Sequence, residues 1–209
     1  MVRFAPEGYP FFSFFLTVTI VIWILLPWGA LIPFALTIFM AYFFRDPERT
    51  IPRGEGTFVA PADGKVILID MTREERYLKD EAIEISIFMS PLDVHVNRAP
   101  CDGSVASVAH SPGRFHSAFR HEASVENEHI AMILDTRYGR VLVCQVAGFL
   151  ARRAVCKVRG GDSLRKGERY GIIKFGSRVD LYLPGTANIL VKQGDRVKAG
   201  ETVLASIGP

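Results

Sequence analysis

Three cysteines in 209 residues, Cys101, Cys144 and Cys156, are too few and too scattered for a disulfide framework. None forms a CxxC pair, which excludes a zinc knuckle and a redox dithiol. An odd set of thiols fits a reducing, cytoplasmic-side location, with one disulfide plus a free thiol as the alternative. A charge excess is also lacking: 25 Lys+Arg against 22 Asp+Glu leave a net charge of +3, which gives no footing for nucleic acid. There is no dinucleotide or P-loop glycine signature and no HExxH ligand pair. No lysine occupies an MKM-like or DKA-like hairpin tip, so a biotin or lipoyl carrier is excluded.

Residues 11–44 carry no charge, and 27 of these 34 residues are apolar. The rest has ordinary globular composition, so the chain divides into a greasy segment (1–44) and one soluble domain (45–209) able to form its own core. A mainly disordered chain, a polytopic transporter and a disulfide miniprotein are excluded. As one helix the apolar run would measure ~51 Å, against a hydrocarbon core of ~30 Å. Pro27, Gly29 and Pro33 fall in its middle, where a turn belongs. The expectation is a helical hairpin with arms near 11–26 and 31–44, crossing a thin bilayer or dipping into one leaflet. Arg3 before it and Arg45, Arg49 and Arg53 after it place both ends on the cytoplasmic side of a cell membrane. A cleaved signal peptide fits poorly, because the apolar run is too long and no small-residue cleavage site follows.

Beyond Arg45 the pattern changes to short β-type runs at 65–70, 82–89, 104–110, 129–136, 140–148, 178–184 and 188–191. Alternation and β-branched content predict a mainly β sandwich or barrel. The stretch 71–81 reads as a short helical turn or a polar hairpin loop. Two internal repeats stand out. VRGGDSLRKGE (158–168) recurs as VKQGDRVKAGE (191–201), offset by 33, and APADGKV (60–66) recurs as APCDGSV (99–105), offset by 39. Gly-Asp and Asp-Gly pairs are turn chemistry. The repeats look like those of lipoyl- and biotinyl-type β-sandwiches with pseudo-twofold symmetry, and structure alone accounts for them.

Four places could hold chemistry. In FGSRV (175–179), Ser177 can attack the carbonyl of Gly176 if a strained turn holds its Oγ there. The ester so formed can eliminate to dehydroalanine, which hydrolyses to a pyruvoyl group and ammonia; the plain alternative is an ordinary Gly-Ser turn. In MSPLDVHVNRAPCDG (89–103), an extended chain puts Asp93, His95 and Asn97 on one face. His95 is a proton-transfer candidate there, against a histidine that merely bonds the backbone. Asp63 in PADG is either a turn aspartate, like its repeat partner Asp102, or a catalytic carboxylate within reach of His95 or Ser177. The segment 110–129 holds His110, His116, His121 and His129, whose spacing matches no metal grammar. With Arg114, Phe115, Phe119 and Arg120 it could serve as a lid or touch lipid headgroups, or form a solvated loop.

In this order RDPER (45–49), PADGKV (61–66), SPLDVH…P-C-D-G, ENE (126–128) and KFGSRVDLYLP (174–184) resemble the pyruvoyl-dependent phosphatidylserine decarboxylases, in their short bacterial and archaeal form. The likeness covers most of the chain. It implies self-cleavage between Gly176 and Ser177 into a β chain (1–176) and an α chain (177–209) that starts with pyruvoyl. It implies a Schiff base to phosphatidylserine in the membrane and loss of CO2 to give phosphatidylethanolamine, with no metal and no dissociable cofactor. The site residues it implies are Ser177, His95 as proton donor, and Asp63 to orient or balance the base. The family's Gly-Ser-Thr is Gly-Ser-Arg here, with Arg178 third. Longer members carry a second histidine where this chain has Arg98, so His95, His116 or His129 would fill an Asp-His-Ser arrangement. Archaetidylserine is the substrate variant, and self-association is left open. The rival from another class is a non-enzymatic membrane adaptor, which would need a long heptad hairpin between the half-motifs; 106–157 has none.

Overall fold

A computed structural model describes residues 3–113, 128–148, 154–174 and 177–208. The chain forms two compact units, Met1–Glu48 and Arg49–Pro209.

In the first unit, α1 (Tyr9–Leu25) and α2 (Leu31–Phe43) pack against each other around a 3-10 turn at Pro27–Ala30. Pro27 opens the turn because its ring cannot continue α1. At the other end Arg3–Phe4 (β1) pairs antiparallel with Arg45–Asp46 (β2), so the two ends of the hairpin meet. Within the apolar arms, the hydroxyls of Thr19 and Thr37 bond the carbonyls of Phe15 and Pro33 and lie 3.3 Å from each other. Inside an apolar phase these polar groups are thereby satisfied locally. Pro6–Leu25, 20 residues of mean hydropathy 1.9, is long and apolar enough to cross a membrane, whereas Pro27–Phe43 is shorter.

The second unit is mainly β. Its strands are β3 (Thr57–Val59), β4 (Gly64–Glu74), β5 (Asp80–Met89), β6 (Val96–Arg98), β7 (Gly103–Ser111), β8 (His129–Thr136) and β9 (Gly139–Ala147). They continue as β10 (Ala154–Cys156), β11 (Ser163–Leu164), β12 (Arg169–Ile173), β13 (Ser177–Pro184), β14 (Asn188–Ile189), β15 (Arg196–Val197) and β16 (Val203–Ser206). An eight-stranded sheet has the order β11-β7-β8-β9-β13-β5-β4-β15; β10-β12-β6 and β14-β16-β3 form two small sheets. The polar stretch 71–81 is a hairpin whose strands run on to Glu74 and resume at Asp80.

The repeats seen in the sequence extend strand by strand through this unit. The order β11-β7-β8-β9 mirrors β15-β4-β5-β13 about an axis between β9 and β13, where Asp180 faces Cys144 and Tyr182 faces Leu142. The same bulge interrupts β7 at Val105/Ser107 and β4 at Val66/Leu68. Likewise β12 bulges opposite β6 at Arg169/Gly171, and β16 opposite β3 at Val203/Ala205. The halves also bond each other reciprocally: Val59 N–H donates to Pro100 O at 2.8 Å and Arg98 N–H to Pro61 O at 2.9 Å. Turn aspartates repeat too, with Asp63 accepting from Ala199 N–H and Asp102 from Lys166 N–H, each at 2.8 Å.

Side chains alternate across the large sheet. One face packs Ile85, Ile87, Met89, Val143, Val179 and Leu181 against Phe58 and Leu204 in the main core. The other covers Leu142, Cys144, Val146 and Tyr182 in a smaller cluster. Strands buried on both faces explain why EISIFM and LVCQV read as almost continuous apolar runs.

Candidate active site

Ser177 opens β13, the strand beside the axis. It faces Met89 of β5 on one side and Ala147 of β9 on the other. Its side chain is fully buried, and its hydroxyl donates to the Met89 thioether, Oγ to Sδ 3.4 Å. A thioether is a weak acceptor, so this contact parks the hydroxyl without activating it. Gly176 lies outside the described residues.

His95 is fully buried just before β6. Its Nδ1 lies 2.9 Å from the carbonyl oxygen of Asp93, and a carbonyl only accepts. The proton therefore sits on Nδ1, which makes Nε2 the basic atom. The His95 carbonyl in turn accepts the Ile173 N–H at 3.2 Å, at the end of β12. Three residues separate Ile173 from Ser177, a reach of at most ~14 Å. This ties His95 to the segment that delivers Ser177.

Asn97, two residues on, is fully buried and directs its Nδ2 to the Met89 sulfur at 3.9 Å and to Pro61 O at 3.5 Å. Its Oδ1 accepts from Gln145 Nε2 at 2.8 Å. Asn97 and Ser177 thus converge on one sulfur atom. Asn97 belonged to the polar row read from the sequence, but Gln145 and Met89 did not stand out. A lone amide within VLVCQVAG was the only signal for Gln145.

The Asp63 carboxylate receives both of its bonds to a side chain from Arg49 Nη2, at 2.7 and 2.9 Å, besides the one from Ala199 N–H. Burial holds its carboxyl above the ordinary 3.8, with the Ala199 N–H and the Arg49 charge pulling the other way. Asp63 is therefore engaged with Arg49 and the repeat turn, whereas His95 is oriented by Asp93. Asp93 itself caps Ser90 N–H at 2.8 Å and pairs with Arg196 at 3.3 Å.

Arg98, in the second-histidine position, is buried and donates from Nη1 to Gly167 O at 3.0 Å, bracing a repeat turn. Arg178 projects to the sheet face opposite Ser177, where its guanidinium meets Asp180 at 2.8 and 2.9 Å. Among the histidines of 110–129, His129 is buried at 2.8 Å from the Tyr77 hydroxyl, and His110 pairs with Glu128 at 3.0 Å. His116 and His121, with Arg114, Phe115, Phe119, Arg120 and the first two residues of ENE, Glu126 and Asn127, lie outside the described residues.

A family model described as phosphatidylserine decarboxylase matches residues 36–205. The chain belongs to this family. Relatives named phosphatidylserine decarboxylase proenzyme align over nearly the whole length. The protein of Syntrophus aciditrophicus (strain SB) is 44% identical over 205 residues, covering 97% of this chain and 96% of the relative. That of Syntrophotalea carbinolica (strain DSM 2380 / NBRC 103641 / GraBd1) is 47% identical over 203 residues, covering 96% and 94%. That of Aromatoleum aromaticum (strain DSM 19018 / LMG 30748 / EbN1) is 46% identical over 205 residues, covering 97% and 95%. The relatives' name, proenzyme, implies processing in them; in this chain Ser177 is a buried hydroxyl at the head of a central strand.

Proposed function

We propose that this chain is a phosphatidylserine decarboxylase proenzyme that cuts itself between Gly176 and Ser177. The observation that carries the reading is the Ser177 hydroxyl, buried at a strand start and held among the described residues by a thioether, within a chain of the matching family. In the first step Ser177 Oγ attacks the Gly176 carbonyl carbon, the C–N bond breaks, and the freed amine takes the proton. Removal of the Ser177 α-proton then expels the Gly176 carboxylate and leaves dehydroalanine. Tautomerisation and hydrolysis release ammonia, leaving a pyruvoyl group at position 177, a large fragment 1–176 and a small fragment 177–209.

His95 Nε2 is the group that moves protons in this scheme, with Nδ1–H anchored on Asp93 O so that the ring cannot turn. Asp63 neutralises Arg49 at the repeat turn and acts on the site by holding the loop 61–63 against Arg98. When formed, the pyruvoyl carbonyl supplies the electron sink for decarboxylation of the serine headgroup. Burial of Met89 and Ala147 beside position 177, and of Asn97 on the Met89 sulfur, keeps bulk water from that carbonyl.

The repeat symmetry of the second unit supports a lipoyl- or biotinyl-like sandwich. The apolar hairpin of the first unit supports a membrane anchor, with Arg3 and Arg45 at its joined ends favouring the cytoplasmic side. A substrate whose headgroup lies at the bilayer surface gives such an anchor its purpose.

The test is a denaturing gel with intact-mass analysis, alongside CO2 release from phosphatidylserine vesicles. The expected result is a 33-residue fragment with a pyruvoyl-mass N-terminus, and a single full-length, inactive band for Ser177→Ala. An active protein that retains the 176–177 amide would overturn the proposal.

A further inference from the structure

The two halves of the second unit provide an internal control. Register by register, Asn97 faces Gly171 where the sister half has Phe58 facing Ala205. Gln145 faces Ile130 where the sister half has Leu183 facing Ile83. All of Asn97, Phe58, Gln145 and Leu183 are buried to 1% exposure or less. The fold therefore accepts apolar residues at these places, and only the half containing β6 and β9, whose Ala147 faces Ser177 across the axis, replaces them with two carboxamides. The glycine is part of the same departure, since a Cβ at 171 would lie 2.8 Å from Gln145 Nε2 and 2.4 Å from Val155 O.

Stability does not account for the exchange. The Gln145 amide orientation is set by its neighbours: Nε2 faces two acceptors, Asn97 Oδ1 at 2.8 Å and Val155 O at 3.5 Å. That leaves Gln145 Oε1 buried with no hydrogen-bond partner among the described residues, which is unfavourable. Asn97 Nδ2, for its part, is a donor whose two contacts are both long, and one of them is the sulfur that also receives the Ser177 hydroxyl. A weakly engaged donor beside a nucleophile is what a developing oxyanion requires.

Resting on the proposed self-cleavage at residue 177, we infer that Asn97 and Gln145 are a positioning pair for that step. Gln145 fixes the Asn97 carboxamide, and Asn97 Nδ2 donates to the oxygen that becomes negative when Ser177 Oγ attacks. No atom is transferred to the pair; it stabilises charge while the C–N bond gives way to the ester.

The experiment follows cutting of the full-length chain, synthesised cell-free with phosphatidylglycerol vesicles, on a denaturing gel over time. Asn97→Asp, isosteric but without the donor, should slow appearance of the small fragment about a hundredfold, whereas Asn97→Ser, which keeps a short donor, should stay within about tenfold of the parent. The double variant Asn97→Leu/Gln145→Leu, placed in Ser177→Ala to prevent cutting, should melt no lower than Ser177→Ala alone, yet with Ser177 restored it should cut at least a hundredfold more slowly. Parent-like cutting by a folded double variant, or equal rates for the Asp and Ser variants, overturns the inference. If the double variant does not fold, the Asp and Ser pair decides alone. A parent chain that never cuts at 176–177 instead defeats the proposed function itself.

Discussion

His95 stands in one half of the second unit where Gly56 stands in the other. Each lends its carbonyl to the end of a neighbouring strand, His95 to Ile173 N–H at 3.2 Å and Gly56 to Ile207 N–H at 2.8 Å. At Gly56 the backbone has φ +67, and a Cβ would meet Ile207 O at 2.2 Å, so that half has no room for a side chain. The half containing β6 and β9 has opened the same junction and filled it with an imidazole. The proposed proton-transfer group therefore sits at a departure from the repeat, with the repeat itself acting as scaffold.

Replacing that imidazole should separate fold from chemistry. His95→Gln keeps a side chain of comparable bulk that can still bond Asp93 O, but it offers no group that gains and loses a proton near neutrality. The expected outcome is a chain that folds, seen as a melting transition in Ser177→Ala, and that forms the small fragment ~10²–10⁴-fold more slowly. Parent-like cutting and CO2 release by His95→Gln would remove His95 from the mechanism.

Arg178 follows Ser177, the proposed nucleophile, in sequence but stands on the other face of the sheet. Its ion pair with Asp180 is buried, at 2% and 0% side-chain exposure. Deleting one partner strands the other's charge, and buried Glu84, which also acts on Arg178, loses its cation either way. Arg178→Leu in Ser177→Ala should therefore lower unfolding stability by ~3–5 kcal/mol, and adding Asp180→Leu should restore only part of it. Whatever fraction of the single variant folds with Ser177 present should still cut near the parent rate. A large cutting defect in stable, folded Arg178→Leu would place the guanidinium in the site after all.

Much of this architecture was legible in the residues. The long strands read from alternation sit where β4, β5, β7, β8, β9 and β13 run, and the offsets between APADGKV and APCDGSV mark a symmetry that the backbone bonds obey. What escaped were β3, β6, β10, β12 and β16, three-to-five-residue pieces that become strands only by pairing with distant partners. The equivalence of β8 with β5 and of β9 with β13 was also hidden, because interchangeable Ile, Val and Leu leave no signature. Ser177 and His95 could be singled out by type and company. Gln145 could not, since nothing in VLVCQVAG says that its neighbour across space is Asn97. Asp63 was equally undecidable, and Arg49, 14 positions upstream, is what engages it.

The three thiols supply a pH-dependent check on the packing. Burial pushes Cys101 up to about 12 and Cys144 well above its usual range, and raises half-buried Cys156 more modestly. Only the thiolate reacts, so at pH 8 Cys101 presents a reactive fraction of roughly 10⁻⁴. Iodoacetamide on the folded protein should label Cys156 first and the other two only after unfolding. The residual rate at Cys101 should climb about tenfold per pH unit until that raised value is approached. Prompt labelling of Cys101 or Cys144 in the native state at pH 8 would contradict the fold.

Cutting at 176–177 should not free the small fragment. Its first strand, β13, is central: eight of its residues pair with β5 and six with β9. Further along, β15 closes the sheet edge on β4 and β16 pairs with β3. Losing those ladders would expose Val179, Leu181, Leu183 and Leu204, each fully buried, at ~1.5–3 kcal/mol per side chain. Native mass spectrometry of the processed protein should thus record one species carrying both fragments, while a denaturing gel resolves two. Because unfolding of the processed form releases two chains, its denaturation midpoint should rise with protein concentration, and that of Ser177→Ala should not. Equal, concentration-independent midpoints for both would mean that the fragments are still covalently joined.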